Sequence, residues 1–158
     1  MTGFVKKVRG ALDPRTLAPG RLSKNGCGVK MTNLPALRLI IDFDKPGSPL
    51  GPNAPRCDYL VITEDQQKIG LVAPLELKRG QLHADQVAKQ LQAGANAAEK
   101  LIAQDEAVRF RPIAASGRVS KHERTRLKSR ANMVRFHGSS EPIRLIQCGD
   151  PLLQALGA

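Results

Sequence analysis

The stretch RCDYLVITEDQQKIGLVAPLELKRG, residues 56 to 80, sets Asp58, Glu76 and Lys78 inside two otherwise apolar runs. An unpaired charge buried in a strand costs on the order of several kcal/mol, so three of them together need a reason. If the two runs fold back on one another about Gln67, position 58 lies opposite 76, and Lys78, two residues on, shares their face of the sheet. A slip of one residue would turn one partner away, so the arrangement depends on that register. Two adjacent carboxylates repel unless a cation lies between them, and a hard divalent ion such as Mg²⁺ takes oxygen ligands of this kind. A lysine beside them can orient or deprotonate a water, or balance the charge of a phosphate. Together these are the parts for metal-assisted hydrolysis of a phosphodiester: the metal makes hydroxide available near neutral pH and stabilises the charge that develops on the phosphate. A purely structural cluster of ion pairs at a sheet end is the alternative.

Several elements must hold these residues in place. LRLIIDFD (37 to 44) predicts a strand, and KPGSPLGPNAP (45 to 55) can only be a loop. The β-rich runs 57 to 63 and 69 to 78, separated by EDQQK, predict a hairpin. Residues 84 to 104 change to a helical period, with Val87, Leu91, Ala98, Leu101 and Ile102 on one stripe that Gly94 and Ala95 keep narrow enough to pack closely on a sheet. VRFRPIAAS (108 to 116) predicts a further strand, at an edge or with a bulge because of Pro112. A very basic segment (118 to 130), a strand within EPIRLIQCGD and the short PLLQAL follow. The expected class is α/β, a central mixed β-sheet flanked by helices. One domain is expected over residues 31 to 158, with its core at about 37 to 116, preceded by a basic, irregular arm at 1 to 30.

The chain of 158 residues carries 25 Lys and Arg against 14 Asp and Glu, a net charge of +11. Seven bases face one acid in residues 1 to 30, eight face nine in 31 to 105, and ten face four in 106 to 158. The excess therefore lies in the two ends, and it implies a polyanion, most simply nucleic acid. Cys27, Cys57 and Cys148 are odd in number and far apart, which supports neither a disulfide framework nor a zinc site. No apolar h-region and no membrane-length apolar run occurs, so a cytoplasmic, nucleoid-associated protein with no membrane partner is expected.

RCDYLVI, APLELKRG and ADQVAKQLQAG together resemble the PD-(D/E)XK nuclease superfamily, whose fold is restriction-endonuclease-like; the resemblance covers roughly half the chain. It implies a DNA endonuclease that uses Mg²⁺, with Mn²⁺ able to substitute, of the kind found in DNA repair or recombination. Asp58 and Glu76 would be metal ligands together with the main-chain oxygen of Leu77. Lys78 would position the water or the phosphate, and Gln86 or Gln90 would be the polar residue that the following helix aims at the site. Two departures stand out. The family's proline before the first acid is Cys57 here, and the acid from an N-terminal helix has no counterpart unless Asp42 or Asp44 substitutes.

The basic segment contributes Arg118, Lys121, Arg124, Arg126, Lys128 and Arg130 as expected phosphate contacts. With one Tyr, four Phe and no Trp, base stacking is a poor candidate for the main grip, so duplex or branched DNA is favoured over single strands. Duplex cleavage by a unit with one site implies a homodimer or a larger complex. The competing function is a non-catalytic, basic nucleic-acid-binding or assembly protein that keeps the same fold.

Overall fold

A computed structural model of the protein describes residues 3–18, 20–51 and 53–156. The chain begins with helix α1 (Phe4–Gly10) and strands β1 (Leu22–Lys24), β2 (Cys27–Val29) and β3 (Arg38–Asp42). Next come β4 (Tyr59–Glu64), β5 (Gly70–Gln81), helix α2 (Ala84–Leu101), β6 (Val108–Phe110) and β7 (Ile113–Arg118). Helix α3 (Lys121–Leu127), β8 (Val134–Phe136), β9 (Ser139–Glu141), β10 (Arg144–Gln147) and the short α4 (Leu153–Leu156) complete it.

The central sheet has the order β10–β7–β5–β4–β3, with β6 beside β5 ahead of β7. β3, β4 and β5 form an antiparallel meander, whereas β6 and β7 run parallel to β5, and β10 runs parallel to β7. The protein is thus α/β, with a mixed central sheet flanked by helices. Tyr59 faces Leu75 and Glu64 faces Gly70, a register centred on Gln67 that sets position 58 opposite 76. Asp65 shapes the turn by accepting the N–H groups of Gln67 and Ile69, both at 2.9 Å.

Every residue of β4 is buried, because both faces of the sheet are covered. Leu60, Ile62, Val72 and Ala114 pack on one face against α1 and α2. Tyr59, Val61, Leu75 and Ile113 pack on the other against Leu22, Cys27 and Val29 of the β1–β2 hairpin and against Leu152. α2 buries Val87, Leu91, Gly94, Ala95 and Ala98, the small-residue stripe expected of it. At Gly94 the approach leaves no room: a Cβ there would lie 2.5 Å from Cys57 Sγ and 3.0 Å from Pro74 Cβ.

Three expectations are corrected. The described residues of the stretch 1 to 30 do not form an irregular arm: α1 inserts Phe4, Val5 and Val8 into the core, and β1–β2 covers the far face of the sheet. Pro112 lies neither at an edge nor in a bulge of one strand; it separates β6 from β7, and β7 is flanked by β5 and β10. Pro74 is tolerated in central β5 for a related reason. The Val72 carbonyl accepts the Arg111 N–H at 3.0 Å, so position 74 faces the same side, where β6 has ended and β7 has not begun. Finally, Cys27 and Cys148 form a disulfide across a sequence separation of 121. Their pairing follows from tertiary contact: Gly149 N–H donates to the Gly28 carbonyl at 2.7 Å and Leu152 N–H to that of Lys30 at 2.8 Å.

Two measurements check this packing. Ala for Gly in a helix ordinarily stabilises by up to about 1 kcal/mol; Gly94→Ala should instead destabilise by about 1–3 kcal/mol through overpacking. Cys57→Ala should recover part of that deficit in a double-mutant cycle read by urea unfolding. Reduction of Cys27–Cys148 should lower the melting temperature by freeing a long loop in the unfolded chain, while far-UV circular dichroism stays unchanged because β2 keeps its hydrogen bonds to residues 149–152.

Candidate active site

Asp58 directly precedes β4, and Glu76 and Lys78 lie on β5. Their alternation with Leu60 and Val72 sets all three on the face covered by α2. Leu77 N–H donates to Asp58 Oδ2 at 2.8 Å, fixing the carboxylate against β5. In an extended strand a residue's carbonyl projects to the same side as its N–H, so the Leu77 oxygen also turns toward Asp58. Glu76 is 6% exposed, and its Oε1 is buried with no hydrogen-bond partner among the described residues.

The two carboxyl groups are within hydrogen-bonding reach of each other, so a shared proton satisfies them only if one is neutral. Burial, and then the charge of Asp58, push the Glu76 carboxyl up to about 8. Burial also raises Asp58, opposed by the Leu77 N–H and by Lys24. Lys78 forms no ion pair with either acid; its charge acts on Glu76 from further away. Behind them the free, buried Cys57 thiol is held far above its ordinary range, by burial first and then by Glu76, and is chemically inert.

Asp42 and Asp44 do not join the pair. Lys24 Nζ holds Asp42 Oδ1 and Asp44 Oδ2, each at 2.6 Å, and stands 4.7 Å from the centre of the Tyr59 ring. Arg56 bonds Asp44 at 3.0 Å. Burial works against the charge of Lys24, but its bonds to Asp42 and Asp44 outweigh this and raise its pKa. Sequence reasoning missed Lys24. The available signal was Asn25-Gly26, both with positive φ (52° and 81°), which is the two-residue hairpin turn that carries Lys24 to the site.

Of the two candidate glutamines, Gln90 is half-buried and Gln86 exposed. Gly94 stands over Pro74. Gln90 is one turn earlier, about 6 Å along the helix, and Glu76 is about 6.6 Å along the strand from Pro74, so Gln90 is level with Glu76. Gln86 lies a further turn out.

The basic segment docks on α2 rather than trailing free. Glu123 accepts the Ala84 N–H at 3.2 Å, capping α2 where His83 supplies no side-chain cap. Arg126 bonds Asp85, whose other oxygen accepts from Asn132 at 3.1 Å. Arg126 is therefore committed to an internal contact, whereas Arg118, Lys121, Arg124, Lys128 and Arg130 are exposed and form no ion pair among the described residues.

Among the described residues, no group of three or more His, Cys, Asp or Glu side chains is placed to share a metal. The donors at hand are two carboxylates and the Leu77 carbonyl, all hard oxygens. An orphaned buried oxygen on Glu76 and a pair that cannot ionise together fit a hard divalent ion that keeps several waters. No protein-family model, curated protein or solved structure matches the chain.

A pH dependence follows. Glu76 holds its proton up to about 8 when folded against 4.5 ordinarily, so between those values the folded, metal-free protein binds more protons than the unfolded chain. Its contribution to stability is fully present below the lower value and disappears as pH rises through the upper one; Asp58, also raised, acts in the same sense. Urea unfolding in chelator should show this decline, and Glu76→Gln should flatten it.

Proposed function

We propose that this chain is a Mg²⁺-dependent DNA endonuclease with a restriction-endonuclease-like fold of the PD-(D/E)XK type. The observation that carries the reading is the buried Glu76 carboxylate, with an unpartnered oxygen beside Asp58 and with Lys78 uncommitted on the same face. That Lys78 forms no ion pair with either acid favours this reading over a purely structural ion-pair cluster.

A divalent ion held by Asp58, Glu76 and the Leu77 oxygen supplies Lewis acidity and offsets charge on the phosphate. The Leu77 N–H keeps Asp58 aimed at β5, so the acid cannot rotate away. Lys78 orients the attacking water and faces the negative phosphate. The water oxygen forms the new P–O bond as the bond to the leaving sugar oxygen breaks, and a proton passes to that oxygen. Lys24 and Arg56 neutralise Asp42 and Asp44, which keeps further negative charge from repelling the substrate. Gln90, level with Glu76, is positioned to hydrogen-bond water or phosphate.

The substrate we favour is duplex or branched DNA, cut by a homodimer or within a larger complex. That setting is intracellular; among the described residues no helix is long and apolar enough to cross a membrane.

Plasmid, linear duplex, single strands and a four-way junction, each with Mg²⁺, Mn²⁺ or chelator, provide the test. Cleavage should require metal. Lys78→Ala should slow it by roughly 100-fold or more yet keep the Mg²⁺-induced rise in melting temperature, which Asp58→Asn with Glu76→Gln should abolish. DNA bound equally well in chelator, with no cleavage in any metal, would instead mark a non-catalytic binding or assembly protein.

A further inference from the structure

Ser116 pairs with Lys78 in the β5–β7 ladder, so the end of β7 is the ground next to the candidate site. Between this end, the end of β10 and α3 lies a cavity of about 320 Å³. Arg118, at the end of β7, and Arg124, on α3, both line it. Neither guanidinium has an ion pair or a side-chain hydrogen bond among the described residues. Elsewhere arginines near carboxylates are paired: Arg15 with Asp13, Arg56 with Asp44 and Arg126 with Asp85. The carboxylate that shares the cavity, Asp150, is turned to its own loop, where it accepts the Gln147 N–H at 2.9 Å.

Two cations from separate elements line one polar hollow against the single carboxylate of Asp150, a net positive charge that an entering anion would offset. The planar guanidinium fork matches the oxygens of a phosphate, and two forks can hold one from two sides. Arg126, two residues on and so on the other side of the same helix, cannot take this role while it holds Asp85.

We propose that the cavity between Arg118 and Arg124 binds a phosphate of the nucleic-acid strand, next to the phosphate that faces Lys78, and that Arg126 only secures α3 to α2. The identity of the strand rests on the nuclease reading; the anion site rests on the two free guanidinium groups and the hollow between them.

The test is DNA binding by the full chain in chelator, as a function of salt, on a short duplex made with either 5′-phosphate or 5′-hydroxyl ends. Arg118→Ala with Arg124→Ala should lower the slope of log affinity against log salt by about 0.9 for each phosphate no longer neutralised, and by roughly 1.8 if each arginine neutralises one. Arg126→Ala should leave the slope at the parent's value. The Arg118→Lys, Arg124→Lys pair should keep most of the slope while binding more weakly, which separates charge from any failure to fold. Weakening on both duplexes assigns the cavity an internal phosphodiester, and weakening confined to phosphorylated ends assigns it a terminal phosphate; either bears the proposal out. A parental slope in the double Ala variant, or an equal fall in Arg126→Ala, overturns it. Cleavage by the parent decides the nuclease reading separately, since no step of the binding assay requires metal.

Discussion

Two carboxyl groups held side by side away from water cannot both be charged unless a cation joins them. Asp58 and Glu76 meet because β4 and β5 pair in one register, and Leu77 N–H removes the freedom Asp58 would need to avoid its neighbour. Much else follows from keeping Glu76 buried, Asp58 partly buried, and neither acid in an ion pair. Lys24 pairs with Asp42 and Asp44, two further acids at the same sheet end, and its charge opposes the repulsion that Asp44 exerts on Asp58. Lys78 stays clear of both acids, so its charge remains available to whatever enters.

Glu76 is buried and Asp58 partly so on the face over which α2 lies close to the sheet. Gly94 sets that distance, because any side chain there would strike Cys57 and Pro74. The opposite face is closed by the β1–β2 hairpin, whose far end is joined to the C-terminal segment by Cys27–Cys148 and by backbone hydrogen bonds. The hairpin thus serves two purposes: it seals the second core, and its Asn25-Gly26 turn brings Lys24 around the sheet end. Pro74 and Pro112 meet where the neighbouring ladder is interrupted, so neither leaves a strand partner waiting for a missing N–H.

The folded protein sorts the cations that the composition only counts. The basic N-terminal end is divided between the two faces of the sheet, α1 on the side of α2 and the β1–β2 hairpin on the other, while α3 of the basic C-terminal end docks on α2. Some of their charges are consumed internally, as with Lys24 and Arg126, and others are left without a carboxylate among the described residues, as with Arg118 and Arg124. Only the second kind can neutralise a phosphate without first breaking an ion pair.

Local pattern was enough for much of this. The length and β-rich composition of residues 57 to 63 and 69 to 78, with a short polar turn between them, pointed to a hairpin; its register was an assumption that only the structure decided, because β4 is buried on both faces and a slip of one residue would leave it just as apolar. The small stripe at Gly94 and Ala95 pointed to a helix able to lie close to a sheet, and the Asp58, Glu76, Lys78 trio falls on one face once that register is granted. Only the tertiary structure decided the rest. Cys27 and Cys148 lie 121 residues apart and carry no local mark of partnership. Lys24 reaches its acids through a hairpin folded back from the far face of the sheet. Arg126 and Arg124 look alike in a basic run, yet one finds Asp85 and the other a hollow. Spacing along a chain constrains neighbours on one strand or helix, whereas whether a charge is paired depends on which distant element packs against it.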